Sequence, residues 1–586
     1  MMKTKQWIIG ACLLFFGAAT AQTKYQWHDP QKQAFQVVRG QAFPDECKGI
    51  YRRFADHRKE SVPEHVWGNS LHSAGLTLNF YTNSPEIVVR YTVSNKHYAM
   101  SHMPATGVSG IDLYATDCHG KTMLCKGWYN FGDTITYTFR NLVYRNIHQA
   151  GYEFELFLPM YNSVEWMEIG VLSDKTFAFA EAAIEKPILV YGTSIAHGGC
   201  ASRPAMAWPH IVHRNLELPI INWGFSGAGR LDSSMFVLMR EVDARLYILD
   251  NMPNMPSLID QIQHRLVSGV KMIREKCDTP ILIVEHDGYT NEQTNDVDKQ
   301  SYQRCNQECR KAYEQLQAEG VGNLYYMTYD EIAMDQDGMV DGVHSTDLGM
   351  TCYAKAYTRK IREILHMPIG DSETTRPCKQ RREPGNYEWN ERHQNILRQN
   401  RSQAPDIVMI GNSITHFWGG EPSFRLHYGE DSWNKMFKGR QVVNMGYGFD
   451  KIENVLWRVY HDELDGYKAK KIFMMLGTNN LNGSSDEEIV KGLNFLIPQI
   501  KKRQPEATLY VVGIYPRRNE EDHLKQLNAA IAQSLPQDAH IKYIDVSEAL
   551  LQKDGKINES LFVGDGLHPN KEGYRKIAKL LTPYVK

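Results

Sequence analysis

The chain has 586 residues, of which 42% are hydrophobic and 23% are charged, and its formal net charge is −2. A chain of this length is too long for one compact core, so we expect two to four domains of ordinary globular composition. The nearly neutral charge gives no support for a nucleic-acid partner.

The first 21 residues have the features of a signal peptide. Lys3 and Lys5 form a basic start, residues 7–18 are mostly apolar, and residues 19–21 (Ala-Thr-Ala) match a small-x-small cleavage site. Cys12 offers a weaker alternative, a lipoprotein cleavage site, but the apolar run continues past it. No later stretch is apolar enough to span a membrane. The sequence therefore predicts an exported protein, either periplasmic or secreted.

Residues 22–182 are predicted to form a β-sandwich that serves as an accessory domain. Short runs with alternating or apolar residues recur at strand length, separated by Gly, Asn and Ser. These runs lie at 76–80, 86–91, 134–139 and 152–157. Several short strands with turns between them favour a sandwich. No nucleophile with a matching base is visible in this region.

Two regions of alternating strands and helices follow. In residues 183–366, strand-like runs alternate with helical stretches, which predicts a parallel sheet with helices on its faces. Residues 367–386 are rich in Pro, Gly and charged residues and are interpreted as a linker. The alternation then restarts in residues 387–586. The sequence thus predicts a multidomain protein whose two C-terminal domains repeat one α/β fold.

The later α/β region contains four short blocks at positions that suit chemistry. Three of them follow predicted strands and the fourth precedes the last helix: 411–414 (Gly-Asn-Ser-Ile), 444–450 (Asn-Met-Gly-Tyr-Gly-Phe-Asp), 477–480 (Gly-Thr-Asn-Asn) and 565–569 (Asp-Gly-Leu-His-Pro). The carboxyl ends of parallel strands meet at one edge of a sheet, where α/β proteins bind their ligands. We therefore expect the four blocks to converge.

The residue types in these blocks suit nucleophilic catalysis. Ser413 is a poor nucleophile until a base removes its proton, and His568 can be that base near neutral pH. Asp565 can hold the imidazole in one tautomer and stabilise the imidazolium. The oxyanion formed by attack on an ester needs aimed donors. The Asn479 amide and the backbone N–H groups near Ser413 and Phe449 can supply them.

The earlier α/β region repeats this arrangement. Its blocks are 192–195 (Gly-Thr-Ser-Ile), 222–227 (Asn-Trp-Gly-Phe-Ser-Gly), 250–254 (Asp-Asn-Met-Pro-Asn) and 341–344 (Asp-Gly-Val-His). Ser194, His344 and Asp341 are the predicted nucleophile, base and orienting acid. The spacing from Ser to Asp is nearly the same in both regions, which indicates that the blocks were duplicated together.

The third block of the earlier region departs from the Gly-x-Asn pattern. Asn254 is the predicted oxyanion amide in this region, and Asn251 is the alternative. Gly227, at the end of the second block, is the predicted backbone donor. Phe449 is its counterpart in the later region.

Taken together, the blocks resemble those of SGNH/GDSL-type hydrolases, which supply Ser, Gly, Asn and His. The later copy is similar to the branch that contains platelet-activating-factor acetylhydrolase subunits and bacterial carbohydrate acetylesterases. The earlier copy resembles a branch that follows a β domain with a Gly-x-Asp-Leu-Tyr motif, here residues 110–114. The resemblance implies two flavodoxin-like three-layer α/β/α domains that hydrolyse carboxylic esters without a metal or cofactor. Phe449 stands where the family often has Gly, so the backbone is expected to be more constrained there.

The expected substrate is a small acyl ester, above all an acetyl ester, on a carbohydrate. Export and the lack of an apolar lid segment favour this substrate over long-chain lipids. Two alternatives stay open: one domain, the first more readily than the second, is catalytically altered and binds glycan, or the ester is not on a carbohydrate. Phe417 and Trp418 lie shortly after Ser413 and could shape an acyl pocket, but packing in the core is favoured.

Overall fold

A computed structural model describes residues 24–145 and 148–586 of the chain. The predicted signal peptide, residues 1–21, lies outside the described residues. Within the described ranges, every helix is too short or too polar to cross a membrane.

The N-terminal module (residues 24–182) is built from two antiparallel β-sheets. Its strands are β1 (Tyr25–His28), β2 (Val38–Arg39), β3 (Thr77–Thr82), β4 (Glu86–Val93), β5 (Asp112–Thr116), β6 (Thr122–Leu124), β7 (Gly127–Asn130), β8 (Ile135–Arg140), β9 (Tyr152–Phe157), β10 (Val164–Leu172) and β11 (Phe177–Phe179), with helices α1 (Glu64–Ser70) and α2 (Ala105–Val108). One sheet, sheet A, has the order β1-β10-β4-β8-β7. The other, sheet B, has the order β11-β3-β9-β5-β6, and β2 pairs with β3.

The core of the module lies between the two sheets. Successive side chains of a strand point to opposite faces, so one alternate set is buried. In β4 this set is Ile87, Val89 and Tyr91, and in β9 it includes Phe154 and Leu156; all five are fully buried. The module is therefore the β-sandwich that the alternating pattern predicts.

The first α/β unit (residues 183–366) contains one parallel sheet with helices on both faces. Its strands are β12 (Ile188–Gly192), β13 (Ile220–Gly224), β14 (Leu246–Asp250), β15 (Ile281–Val284) and β16 (Leu324–Met327), and its helices are α3 (Ser194–His197), α4 (Trp208–Leu216), α5 (Ser233–Met239), α6 (Ile262–Arg274), α7 (Asp296–Ala318), α8 (Tyr329–Ile332) and α9 (Asp347–Ile364). The strand order is β13-β12-β14-β15-β16. This is the flavodoxin-like order 2-1-3-4-5.

The second α/β unit (residues 387–586) repeats that topology. Its strands are β17 (Ile407–Gly411), β18 (Val442–Gly446), β19 (Lys471–Met475), β20 (Thr508–Val512) and β21 (Ile541–Ile544), and its helices are α10 (Trp389–Ser402), α11 (Ser413–His416), α12 (Glu430–Met436), α13 (Ile452–Tyr460), α14 (Asp486–Arg503), α15 (Glu521–Ser534) and α16 (Lys571–Val585). Its order, β18-β17-β19-β20-β21, is the same. The central strands β12 and β17 are buried along their whole length because helices cover both faces.

Strand register makes the two units directly comparable. The last residue of each central strand pairs with one residue in each neighbouring strand, and these pairs are Gly192 with Gly224 and Asp250, and Gly411 with Gly446 and Met475. Positions in the loops directly after these strands can therefore be assigned their counterparts in the other unit by counting from these pairs.

The segment 367–386, predicted as a linker, packs closely against its neighbours. The Arg381 guanidinium donates to the carbonyl oxygen of Gly151 in the N-terminal module at 2.8 Å. The next residue back, Gln380, donates to the Gly448 carbonyl of the second unit at 2.9 Å. Both Gln380 and Arg381 are buried. The segment therefore joins the N-terminal module to the second unit.

Buried charged groups join the two α/β units. Glu185, just before β12, accepts a hydrogen bond from His461 at 2.7 Å and lies 3.4 Å from the Nε2 atom of His393. The other ring nitrogen of His393 lies 2.8 Å from Glu463. Burial alone would lower the pKa of His393, but hydrogen bonds to the two glutamates raise it to about 9. His393 is therefore cationic at neutral pH between two carboxylates.

Candidate active sites

The two serines occupy the same place in their units. Ser194 and Ser413 each follow a strand that ends in Gly, and each is the first residue of a one-turn helix, α3 or α11. The residue before each serine caps that helix. The side chains of Thr193 and Asn412 accept the backbone N–H two residues ahead, at 3.3 and 3.0 Å. The caps hold both hydroxyl groups at the carboxyl edge of the sheet.

In the first unit, the structure brings the three predicted side chains together. The Ser194 Oγ atom lies 2.9 Å from Nε2 of His344. The Nδ1 atom of His344 lies 2.8 Å from Oδ2 of Asp341. The other carboxylate oxygen of Asp341 accepts the backbone N–H groups of Val343 and His344 at 3.1 and 2.8 Å. The loop backbone therefore holds the Asp341 carboxylate in place, and the carboxylate in turn orients the His344 ring.

The second unit repeats this geometry. The Ser413 Oγ atom lies 2.8 Å from Nε2 of His568, and Nδ1 of His568 lies 2.6 Å from Oδ2 of Asp565. The backbone N–H groups of Leu567 and His568 each donate to the other Asp565 oxygen at 2.9 Å. The two Asp-Gly-x-His blocks thus form the same turn in both units.

The surroundings keep both aspartates ionised. Partial burial acts to raise the pKa of Asp341, but backbone and side-chain hydrogen bonds from His344 outweigh it and lower the pKa below its usual value. The pKa of Asp565 is lowered in the same way, with burial opposed by hydrogen bonds from His568. An ionised carboxylate at Nδ1 leaves Nε2 free to accept a proton from the serine.

The second blocks share a backbone conformation that favours glycine. Gly227 has φ +65° and Phe449 has φ +64°. Counting from the register pairs, both residues lie three positions after the paired glycine of the neighbouring strand. Phe449 adopts the left-handed region although it has a side chain, and that side chain is 44% exposed. The expected constraint at Phe449 is therefore present.

The register also assigns the third blocks. Asn254 lies four residues after the strand residue paired with Gly192, and Asn479 lies four residues after the residue paired with Gly411. Both side chains are partly exposed and contact the backbone of block two. Asn251 is fully buried. The structure therefore places Asn254, rather than Asn251, at the position of Asn479.

A buried aspartate supports the second block in the second unit only. The Asp450 carboxylate accepts hydrogen bonds from Gln380 at 3.0 Å and Trp389 at 2.8 Å, and it pairs with Arg458 at 2.9 Å. Its backbone carbonyl accepts the Asn479 amide at 2.9 Å. Burial raises the pKa of Asp450 to about 6, against the lowering effect of Arg458. Through these contacts, Asp450 links blocks two and three to the segment 367–386, which contains Gln380.

The first unit instead buries an aspartate at the start of its third block. Asp250 ends β14 and is 3% exposed. Burial, with a further contribution from the charge of Asp287, raises its pKa to about 7. The counterpart of Asp250 in the second unit is Met475. The buried carboxylate thus belongs to block three in the first unit and to block two in the second.

The N-terminal module borders the first site, which the sequence did not predict. The Tyr161 hydroxyl donates to the carbonyl oxygen of Ser194 at 3.2 Å. The ring of His102 lies 6.0 Å from the ring of His344, centroid to centroid. Both residues come from loops between strands, and nothing in their local sequence marks them as neighbours of a serine far along the chain.

Aromatic side chains border the second site. The ring of Phe417 lies 5.2 Å from the ring of His568 and stacks on Phe424 at 5.6 Å. Trp418 is buried in the core, as expected. The expectation of core packing is wrong for Phe417, because the one-turn helix after Ser413 ends there and turns this side chain toward the imidazole.

Family models match three separate parts of the chain. Residues 185–362 and 409–576 each match models of the GDSL-like lipase/acylhydrolase family. Residues 25–177 match the model described as the N-terminus of SGNH-hydrolase-type esterases, named for its GxDLY motif.

Similar proteins fall in the same family. The chain is 31% identical over 206 residues to subunit alpha2 of human platelet-activating factor acetylhydrolase IB, which covers 34% of this chain and 85% of that protein. It is 25% identical over 201 residues to the human alpha1 subunit, over 34% of this chain and 82% of that protein. A solved structure assigned as a GDSL-like lipase from Bacteroides ovatus aligns with a TM-score of 0.53 and 29% identity, over 58% of this chain and 98% of that one. The chain belongs to the GDSL-like lipase/acylhydrolase family, carries two copies of its domain, and is a carboxylic ester hydrolase.

Proposed function

We propose that both α/β units are working serine esterase sites that remove small acyl groups, chiefly acetyl, from carbohydrates. The observation that carries this proposal is the repeated chain of contacts from serine to histidine to aspartate. In each unit the serine hydroxyl lies within 2.9 Å of an imidazole, and the imidazole lies within 2.8 Å of a carboxylate. These distances suit proton transfer at the moment of attack.

The first half of the reaction forms an acyl-enzyme. The serine Oγ attacks the ester carbonyl carbon while its proton moves to Nε2 of the histidine. The negative charge that develops on the carbonyl oxygen is held by the block-two backbone N–H and the side-chain amide of Asn254 or Asn479. Collapse of the tetrahedral intermediate breaks the ester bond, and the imidazolium gives its proton to the departing sugar oxygen, which leaves as a hydroxyl.

The second half restores the enzyme. Water gives a proton to the same imidazole and attacks the acyl carbonyl, and a second tetrahedral intermediate forms in the same oxyanion hole. Its collapse releases the carboxylic acid and returns the proton to the serine. Asp341 and Asp565 stay ionised throughout and stabilise the imidazolium in each half.

Several observations support a small acyl group on a sugar. The matched human relatives are named acetylhydrolases, which supports acetyl as the group removed. Phe417 and Phe449 present aromatic surface at the second site, where a sugar ring could pack. We further propose that the protein acts outside the cytoplasm, in the periplasm or beyond the cell, on the basis of its predicted signal peptide.

Acetate release from acetylated polysaccharides, with p-nitrophenyl acetate as a general ester, tests the proposal. We expect Ser194→Ala and Ser413→Ala each to remove part of the activity, and the double variant to remove almost all of it. Different polysaccharide preferences of the two single variants would show what each site acts on. A double variant as active as the wild type would refute the nucleophile assignment. Loss of all activity on substitution of one of the two serines alone would show that only that unit is catalytic.

A further inference from the structure

The two sheets of the N-terminal module have different outer surfaces. Sheet B packs on both α/β units. Its Glu155 side chain lies 2.8 Å from the His213 ring of the first unit, and its Glu153 accepts from Asn390 of the second unit at 3.1 Å. The outer face of sheet A lies on the opposite side of the sandwich and therefore points away from both units.

A row of residues crosses the outer face of sheet A from one edge strand to the other. Strand register pairs Trp27 with Gly170, Gly170 with Val88, Val88 with Thr138, and Thr138 with Trp128. Four steps between strands separate the two tryptophans by about 19 Å. The residues between them are small, so the row forms a shallow trough with an indole at each end.

The indole at the β1 end lies flat on the sheet. A Cβ atom at Gly170 would lie 2.7 Å from the Trp27 ring, so only glycine leaves room for the indole there. On the same face, Trp166 lies four residues before Gly170 on β10. We call Trp27, Trp128 and Trp166, with the small residues of the row, the aromatic face.

These tryptophans are not part of the core. The other seven tryptophans among the described residues all pack into hydrophobic clusters, whereas the three on the aromatic face belong to none. Trp128 is 47% exposed, and Trp27 and Trp166 are partly exposed. Large aromatic side chains held at the surface, outside the hydrophobic core, are typical of binding sites.

Polar groups lie among the indoles. The Arg90 guanidinium lies 3.8 Å from the centroid of the Trp27 ring and forms an ion pair with Glu168. Thr136 and Asn130 pair across β8 and β7 beside the row. The Arg90 and Glu168 charges are paired, and Lys126, whose ammonium lies 5.1 Å from the centroid of the Trp128 ring, adds a single cation, so the face lacks the cluster of cations that a polyanion or an anionic membrane requires. Its mixture of indole surface and fixed hydrogen-bonding groups suits a neutral ligand that has both C–H faces and hydroxyl groups.

We propose that the aromatic face binds a neutral polysaccharide chain at a site separate from both serines. A flat trough of this length accommodates several consecutive sugar rings, which can pack on the indoles and bond to the side chains between them. This inference goes beyond the proposed esterase function, since binding needs neither active site. A chain held on the face raises the local concentration of esters along the same polymer near the two catalytic units.

Native gel electrophoresis through neutral polysaccharides tests the proposal. The probes are xylan, glucomannan, mixed-linkage β-glucan and hydroxyethyl cellulose, and the protein carries Ser194→Ala and Ser413→Ala so that any acyl groups on the polymers stay in place. We expect at least one probe to retard the chain, and Trp128→Ala to weaken that retardation at least tenfold in ligand concentration. Trp27→Ala combined with Trp128→Ala should abolish it.

Tyr129→Ala provides a matched control. Tyr129 is 55% exposed and adjacent to Trp128 on β7, but its side chain lies on the other side of the sheet and packs on Tyr137. We expect this variant to be retarded like the parent chain, and Trp128→Ala with both serines restored to hydrolyse p-nitrophenyl acetate at the wild-type rate. Migration of the parent chain that no probe retards, or equal retardation of Trp128→Ala and the parent, would overturn the proposal whether or not the esterase assignment holds.

Discussion

The two α/β units set the same triad on the same strand order but surround the serine with different residues. At the left-handed position of block two, one unit has Gly227 and the other has Phe449, with φ values that agree within a degree. At the start of block three, Met252 takes the place of Gly477. At the first of these positions the backbone conformation is kept while the side chain has changed, whereas at the second Gly477 has φ +117° and Met252 instead begins a 3-10 helix. The units therefore share the triad and the Asn of block three but not every residue of blocks two and three.

The units also differ in what lies beneath these blocks. The first unit buries Asp250 where the second has Met475, and the second buries Asp450 where the first has Ala228. Among the residues that the structure describes, Asp450 has a cationic partner, Arg458, and Asp250 has none. A buried carboxylate without a cation costs stability when it ionises, whereas a paired one does so much less. We therefore expect the two units to respond differently to pH and to substitution.

The largest expected effect comes from removing the base of each unit. His344→Ala in a Ser413→Ala chain, and His568→Ala in a Ser194→Ala chain, should each lower kcat for p-nitrophenyl acetate by roughly 10⁴-fold or more, since the serine then keeps its proton. The matching single-serine variants are the controls. A loss below tenfold in either unit would break the equivalence of the two sites.

Smaller losses should follow from the oxyanion amides. Asn254→Ala in the Ser413→Ala chain should lower kcat by about 10²–10³-fold with little change in KM, because the amide is needed most when the oxyanion forms. Asn479→Ala in the Ser194→Ala chain should behave alike. Asn251→Ala is the control and should leave kcat within a few-fold. The reverse outcome for Asn254 and Asn251 would assign the oxyanion role to Asn251.

The buried Asp250, with a pKa of about 7, predicts a pH effect on the first unit that is larger and extends to higher pH than the effect of Asp450, with a pKa of about 6, on the second. The pKa of Asp250 is about 7 when folded, against an ordinary 3.8, so between about pH 4 and 7 the folded protein holds a proton that the unfolded chain has released. The stability of the first unit should therefore fall as pH rises through this range. Asp250→Asn should remove that decline and raise stability at pH 8 by roughly 2–4 kcal/mol.

Thermal unfolding from pH 4 to 8, followed for wild type and Asp250→Asn, measures this effect. The variant with Met475→Leu, a change at the corresponding position of the second unit, serves as the control and should keep the wild-type pH profile. Identical pH profiles for wild type and Asp250→Asn would contradict the account.

The smallest expected effect is at Phe449. Glycine adopts φ near +64° without the strain that a Cβ atom causes, so Phe449→Gly should relieve about 1 kcal/mol of strain in the folded state. The greater freedom of glycine in the unfolded chain offsets part of this gain in stability. We expect the unfolding midpoint to change by no more than a few degrees, with the second-unit triad still active on p-nitrophenyl acetate. If KM for acetylated polysaccharide rises while p-nitrophenyl acetate is unaffected, the exposed ring contributes to sugar binding.

The fold followed from the sequence because its signals are local. Short apolar runs that end in Gly marked β12 and β17, and alternation marked β4 and β9. The triads followed for a related reason, since blocks placed after parallel strands must meet at one sheet edge. The choice of Asn254 over Asn251 needed strand register, which a single sequence does not contain.

Other features depend on contacts between distant segments. Tyr161 and His102 reach the first site from loops of the N-terminal module, and Gln380 supports the second site from a segment whose composition indicated only a linker. Phe417 faces His568 because of where a one-turn helix ends. Such placements are set by tertiary packing, and no periodicity or motif in the sequence predicts them.

The central claim is that one chain carries two reactive serines. Labelling with a fluorophosphonate, which bonds to activated serine hydroxyls, followed by intact-mass measurement, counts them directly. We predict two labels per wild-type chain, one on each of the variants Ser194→Ala and Ser413→Ala, and none on the double variant. A single label on the wild type, lost entirely with one of the two substitutions, would contradict the claim.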